Sequence, residues 1–207
     1  MLKILGKSSS INVRKVLWLC AEIDLPYVQQ EWGSGFRSTQ VAEFIALNPN
    51  ATVPVIIDDG FVLWESNAIC RYLASQYRRP DLLPETPRAR AIVEQWMDWQ
   101  SSELNAAWRY AFMGLVRHSP EHGDAAAIDA SVENWTRKMA ILETQLSKTG
   151  AFVAGSTFTL ADIVIGLSVN RWFMTPIDRP VFPAVAEYFA RLSERPGLRV
   201  HGRNGTP

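Results

Sequence analysis

Three consecutive hydroxyls, Ser8, Ser9 and Ser10, stand in "GKSSSINVRKV", where a short apolar run gives way to a helical pattern. A helix cap needs one hydroxyl, and a serine nucleophile needs a base, which this stretch does not offer. A second constellation, Glu65-Ser66 in "LWESNAICRYL", also stands where a helix begins. Free N–H groups and the Ser66 hydroxyl would receive a carboxylate there, and Glu65 would receive an ammonium, so the pair could hold an α-amino acid end. The plain alternative is that Ser66 only caps its helix. A third feature is Pro54 within "TVPVII", since proline lacks the N–H that a strand requires. One resolution is a cis Val53–Pro54 bond that turns the Val53 backbone outward to pair with an extended peptide ligand. The other is a trans proline on an edge strand, the statistical default because cis forms only about 5–6% of X–Pro bonds.

The elements that must position these residues fall into two groups. "LKIL" reads as a strand, "INVRKVLWLCAEI" as a helix with Val13, Val16, Leu17 and Cys20 on one face, "LPYVQQE" as a strand and "TQVAEFIAL" as a helix. "VPVII" and "FVLW" form a hairpin around Asp58-Asp59-Gly60, and "SNAICRYLASQY" a helix with Ala68, Ile69, Tyr72 and Leu73 on one side. Prolines at 80, 84 and 87 then mark a linker, after which no strand pattern follows. "RAIVEQWMDWQSSELNAAWRYAFMGLVR" and "IDASVENWTRKMAILETQLSK" are helical, and "TLADIVIGLSVNRWFM" is apolar nearly all round, as in a helix at the centre of a bundle. "FPAVAEYFARLSERPGL" closes the chain as an amphipathic helix ended by Pro196-Gly197. Thr159 and Asp162 form a capping box with Asp in place of the usual Glu or Gln, flanked by Phe158 and Ile163 as a hydrophobic staple; its role is folding. The expected division is an α/β domain over 1–78 in the order βαβαββα, a linker at 79–87 and an all-helical domain over 88–207.

Other chemistries find little support. His118 and His122 are separated by Pro120 and cannot share a helix face, His201 lies alone near the end, and Cys20 and Cys70 make no metal spacing or disulfide framework. No metal site is expected. No G-x-S-x-G, H-E-x-x-H, P-loop or G-x-G-x-x-G pattern occurs. The 207 residues carry 21 basic and 21 acidic side chains, so there is no electrostatic footprint for nucleic acid or an anionic membrane. "MLKILGK" is too short for a signal-peptide core, and "LADIVIGLSV", the longest apolar run, contains an acid and falls short of a membrane span. A cytoplasmic protein is expected.

Together "SSSINVRKVLWL", "LNPNATVPVI", "LWESNAICRYL" and "TLADIVIG" resemble the cytosolic glutathione transferases, of the bacterial theta-like, serine/asparagine type, over essentially the whole chain. The resemblance implies a thioredoxin-like N-terminal domain followed by an all-helical one, with glutathione as co-substrate. It implies that Val53, ahead of a cis Pro54, meets the cysteinyl part of glutathione, and that Glu65 and Ser66 hold its γ-glutamyl end. Ser10 matches the thiol-activating serine and Asn12 an assisting asparagine; Ser9 is a further glutathione contact, and either Ser9 or Ser10 reaches the thiol. Thr52 stands where many relatives carry Lys, Arg or Gln, which leaves that contact to the backbone or weakens it. The catalytic cysteine and tyrosine of other classes have no counterpart.

On this reading the nucleophile is the thiol of glutathione, and the protein supplies donors to the thiolate. Lowering a thiol pKa by about two units from ~8.5 takes roughly 2.7 kcal/mol. One hydrogen bond to a charged group supplies about 1.5–3 kcal/mol and a helix N-terminus about 0.3–1 more. A single hydroxyl nearly suffices, and the remaining serines cap the helix or donate from a second rank. Asn105, Trp108, Arg109 and Phe112, on neighbouring turns, are the candidates for a small hydrophobic electrophile, with Trp108 and Phe112 equally readable as core. The resemblance also implies a homodimer and glutathione-dependent peroxidase activity. The alternative is a glutathione-binding, non-catalytic interaction module on the same fold.

Overall fold

A computed structural model describes residues 1–207. The N-terminal part runs β1 (Leu2–Leu5), α1 (Ile11–Glu22), β2 (Tyr27–Gln30), α2 (Ala42–Ile45), β3 (Val55–Asp58), β4 (Phe61–Trp64) and α3 (Ser66–Gln76). The sheet order is β2-β1-β3-β4, with β1 parallel to β2, antiparallel to β3, and β3 antiparallel to β4. Parallel neighbours need a crossover, which α1 supplies. Asp59 (φ 46°) and Gly60 (φ 91°) join β3 to β4 in the left-handed turn that matches strand twist. This is the thioredoxin-like domain.

The rest is helical: α4 (Pro87–Trp99), α5 (Asn105–Leu115), α6 (Ala125–Thr149), α7 (Leu160–Met174), α8 (Pro183–Ser193) and α9 (Pro196–His201). Between α4 and α5 the same helix continues through a π-helical turn at Gln100–Leu104. The Ser101 and Ser102 hydroxyls donate to the Asp98 carbonyl at 3.0 and 2.9 Å within that widened turn.

Several boundaries differ from the sequence reading. The second helix shrinks to Ala42–Ile45, and Phe44 is its buried residue, packed with Leu5, Trp32 and Val55. Pro196 does not end the last helix: α8 stops at Ser193, and Pro196, harmless in a first turn because that N–H needs no helical partner, opens α9. Gly197 lets α9 press on α1, since a Cβ there would lie 2.1 Å from Trp18 Cδ1.

One core runs through both parts, including Trp18 of α1, Leu73 of α3, Met97 of α4, Trp135 of α6 and Trp172 of α7. The connection after α3 is packed into it: Leu82 and Leu83 are buried, and the Leu82 carbonyl accepts from Leu160 N–H at 3.0 Å. Helix α7 is buried on nearly every side, as its composition predicts. Its start is fixed by the Asp162 carboxylate, which accepts from Thr159 N–H (2.8 Å), the Thr159 hydroxyl (3.1 Å), Val153 N–H (2.9 Å) and the Tyr188 hydroxyl (3.0 Å).

Candidate active site

The turn before α1 is built by Gly6. Its φ of 151° and the space around it exclude a side chain, because a Cβ would lie 2.5 Å from Val13 Cγ2 and 3.0 Å from Val53 Cβ. That close approach sets the serine loop against the Val53–Pro54 segment. The serines do not crowd into a cap. Ser8 accepts from Gln29 Nε2 at 2.9 Å, and Ser10, the N-cap residue of α1, makes no side-chain cap bond. The expectation that spare hydroxyls cap the helix is therefore corrected: the N-terminus of α1 stays open beside the Ser10 hydroxyl, with half-buried Ser9 next to it.

Of the two readings of Pro54, the structure has the cis peptide. Ladder pairing of β3 begins at Val55, and no turn or cap bond uses the Val53 N–H or carbonyl. Thr52 is exposed; Asn48 Nδ2 donates to its carbonyl at 2.8 Å and to its hydroxyl at 3.3 Å.

Glu65 is the N-cap residue of α3 with φ 72° and ψ 108°, a conformation that costs a non-glycine residue about 1–3 kcal/mol and clusters at functional positions. No side chain caps α3. Ser66 is its first helical residue and donates to Asn12 Oδ1 at 3.3 Å, so the simple cap reading of Ser66 does not hold. Asn12 is thereby tied to Ser66, with its amide N–H groups left as donors. Asn12, Glu65 and Ser66 line one cavity of about 380 Å³ together with Lys15, Arg71 and Asn105.

Lys15 was not singled out from sequence. It is buried on α1, and Nζ donates to Gln100 Oε1 (2.8 Å) and Asn67 Oδ1 (3.2 Å), both neutral. Burial pushes its pKa down to about 8. Gln100, in the π-helical turn, passes the chain on to Asn105 Oδ1 and Ser168 Oγ, each at 2.9 Å. A buried network thus connects the start of α3 to the start of α5. Cys20 and Cys70 are buried thiols pushed up to about 12 by desolvation, which keeps them protonated and unreactive.

Asn105, Trp108, Arg109 and Phe112 come together on a second cavity of about 480 Å³, joined there by Met113 and Arg171. Trp108 and Phe112 are wall and core at once: they are buried, edge to face at 5.4 Å, and Trp108 also packs 6.4 Å from Trp135. The two cavities share Ser101 and Asn105 and so adjoin. Arg171 is the second residue missed from sequence; the available signal was a basic residue near the end of a helix that is apolar nearly all round. No group of three or more His, Cys, Asp and Glu side chains could hold a metal ion, and no helix is long and apolar enough to cross a membrane.

Comparison with known proteins agrees with this geometry. Residues 1–75 match the family model "Glutathione S-transferase, N-terminal domain" and residues 105–196 the model "Glutathione S-transferase, C-terminal domain". The chain is 40% identical over 201 residues to Glutathione S-transferase GstB of Escherichia coli (strain K12), covering 96% of each protein. It is also 30% identical over 172 residues to Elongation factor 1-gamma of Rattus norvegicus, covering 72% of this chain and 37% of that one. Among solved structures, the theta class glutathione S-transferase from Xanthomonas axonopodis pv. citri with glutathione bound superposes with a TM-score of 0.90 at 38% identity, over 97% of this chain and 96% of the other. A Nilaparvata lugens delta-class glutathione transferase gives a TM-score of 0.89 at 25% identity, over 100% and 95%. Two matching domains, and a relative 40% identical along nearly its whole length, place this chain in the glutathione S-transferase family.

Proposed function

We propose that glutathione lies across the N-terminal domain, with its cysteinyl backbone paired to Val53 beside Pro54 and its γ-glutamyl end on Glu65 and Ser66. Ser9 and the Thr52 backbone are secondary contacts. The open N-cap at Ser10 carries the assignment: its hydroxyl is unspent on α1 and stands at a positive helix end. Ser10 donates to the thiolate and Asn12, oriented by Ser66, donates from the second rank. With the thiol proton released to solvent, sulfur attacks an electrophile held against Asn105, Trp108, Arg109 and Phe112. The C–S bond forms as the leaving group departs with its electron pair. Adjoining cavities support the transfer of sulfur from one site to the other. Reduction of organic hydroperoxides by the same thiolate is a further capacity of this site.

The protein is proposed to work in the cytoplasm as a homodimer. Exposed Phe61 and Trp64 on the edge strand β4 and exposed Ile92 on α4 support an interface there. The division at 79–87 into glutathione-binding and helical domains belongs to the same proposal. A second reading, a glutathione-binding interaction module without turnover, is favoured by the similarity to Elongation factor 1-gamma. Retention on immobilised glutathione without conjugation would select it.

Ultraviolet difference absorbance of the bound thiolate, titrated against pH, tests the activation step. Ser10→Ala should raise the bound thiol pKa by about one to two units, the equivalent of one hydrogen bond to a charged group, with glutathione affinity largely retained. Ser8→Ala should do little, because that hydroxyl is held by Gln29; Ser9→Ala and Asn12→Ala should be intermediate. If none of these variants shifts the titration, activation at this turn is wrong.

A further inference from the structure

Ser101 and Asn105 border both cavities. The Ser101 proton goes to the Asp98 carbonyl at 3.0 Å, so the donors left at the junction are those of the Asn105 amide. Asn105 is half-buried at the start of α5, on the helix face that also carries Trp108 and Phe112. Which end of its amide meets the cavities is decided by Lys15. An ammonium has donors only, so Nζ takes the oxygens of Gln100 (2.8 Å) and Asn67 (3.2 Å) and turns both NH2 groups away. Asn67 closes its arm on the Met97 carbonyl at 2.8 Å. Gln100, fully buried, donates through Nε2 to Asn105 Oδ1 and to Ser168 Oγ, each at 2.9 Å. Ser168 accepts there because its own proton goes to the Val164 carbonyl at 3.0 Å. With Oδ1 committed to Gln100, Asn105 presents its NH2 to the junction. Burial pulls Lys15 down to about 8, still above neutral, so the ammonium sets this order at pH 7. A donor whose direction is fixed beforehand is the kind that stabilises charge appearing only as bonds change.

We propose that Asn105 is a catalytic donor to the electrophile, binding through its N–H the oxygen on which negative charge gathers as sulfur adds, and that Lys15 and Gln100 are the positioning residues that aim it. The inference rests on the reading of the second cavity as the electrophile site and adds to that apolar wall one oriented polar contact. With a conjugated ketone the step balances as follows. Sulfur forms the C–S bond at the β-carbon, and the C=C pair shifts so that charge arrives on the carbonyl oxygen, held by the Asn105 N–H. The α-carbon then takes a proton from water, replacing the one the thiol released. Nothing leaves, and no oxidant or reductant enters. An aromatic group on the β-carbon rests against Trp108 and Phe112, the flat apolar part of the same cavity.

Two probes with the same phenyl body separate this role from packing. In benzylideneacetone the charge gathers on an oxygen; in benzyl chloride it departs on chloride. Each kcat/KM is divided by the uncatalysed rate constant with glutathione. Asn105→Ala should lower the ketone value by about tenfold or more, the worth of one hydrogen bond to a charged group, and the benzyl chloride value much less. Gln100→Glu should reproduce that selective loss with Asn105 still in place. The new carboxylate accepts from Lys15 but has no N–H for Asn105 Oδ1, so the Asn105 amide turns its NH2 inward. Lys15→Met, which frees the Gln100 amide to turn, should lose part of the same ratio and reads the relay should the buried carboxylate unfold the protein. A ratio kept by the folded Gln100→Glu and Lys15→Met variants, with Asn105→Ala impaired, overturns the positioning roles. Equal losses with both probes in Asn105→Ala, or no loss with the ketone, overturn the inference alone. Glutathione affinity by calorimetry and the bound-thiolate titration complete the test: if Asn105→Ala moves either one, the amide serves glutathione and the inference falls. A wild type that conjugates neither probe overturns both the catalytic reading and this inference.

Discussion

Asp162→Ala should cost stability and leave the chemistry of each folded molecule intact. The carboxylate is fully buried and takes two donors on each oxygen: Val153 N–H and the Tyr188 hydroxyl on Oδ1, Thr159 N–H and the Thr159 hydroxyl on Oδ2. The hydroxyls can turn elsewhere, and Tyr188 already lies 3.5 Å from the Asp162 carbonyl. The two backbone N–H groups cannot, and each stranded donor costs about 1–3 kcal/mol. A loss of about 2–5 kcal/mol at pH 7 follows, more than an exposed cap would give. Asparagine should rescue little, because its NH2 must face one of those N–H groups. The pH dependence adds a second readout. Burial, opposed by the four donors, raises the Asp162 carboxyl to about 6 against an ordinary 3.8. The folded state therefore binds more protons than the unfolded one between these values. The carboxyl's contribution is fully present below about 3.8 and is lost as pH rises through about 6. Wild type should gain about 1 kcal/mol between pH 7 and pH 5 that the alanine variant does not. Urea unfolding followed by tryptophan fluorescence at both pH values measures the gap. A gap that narrows toward pH 5, or activity per folded molecule falling sharply at an unchanged melting temperature, would refute the reasoning.

Lys15 titrates in the opposite sense: its folded pKa, about 8, lies below the ordinary 10.5, so the folded state holds fewer protons in that window and stability rises with pH. Wild type should gain about 2 kcal/mol from pH 7 to pH 9.5, a gain absent in Lys15→Met by chemical unfolding. The double variant Glu65→Ala, Ser66→Ala should fold and lose about 1.5–3 kcal/mol of glutathione affinity; unchanged calorimetric affinity would remove that assignment. Light scattering should give a dimer at assay concentration, and a fully active monomer would defeat the proposed interface. Cys20 and Cys70 should resist alkylation in the native state, and rapid labelling without unfolding would contradict their burial.

Much of the fold was legible because local pattern and tertiary role coincide. Helix α1 hides Val13, Val16, Leu17 and Cys20, and β3 and β4 meet at a turn whose residues demand positive φ. The all-apolar α7 and its acidic start carry their own signature. The second helix came out shorter than "TQVAEFIAL" suggests because little of it is held by burial: Val41 and Ile45 are exposed and Phe44 alone is buried. The π-helical turn was not legible, because "QSSEL" lies inside one continuous helical pattern with no glycine or proline to mark it. In the site, Ser10, Glu65 and Ser66 were visible as donors and charges at helix starts. Lys15 and Arg171 were not, because a charge is read by default as solvated and their partners come from far along the chain: Gln100 lies 85 residues from Lys15, and Pro207 lies 36 from Arg171.

The π-helical turn has an evolutionary corollary. A π turn holds roughly one residue more than an α turn while leaving both flanks in phase. Removing exposed Ser101 or Ser102 would let this turn close into ordinary α-helix, with α4 and α5 still presenting the same faces. The same deletion two turns earlier or later would rotate everything beyond it by about 100°. Length variants of this long helix should therefore cluster at 100–104, where a single codon can come or go without turning Trp108 and Phe112 away from their cavity.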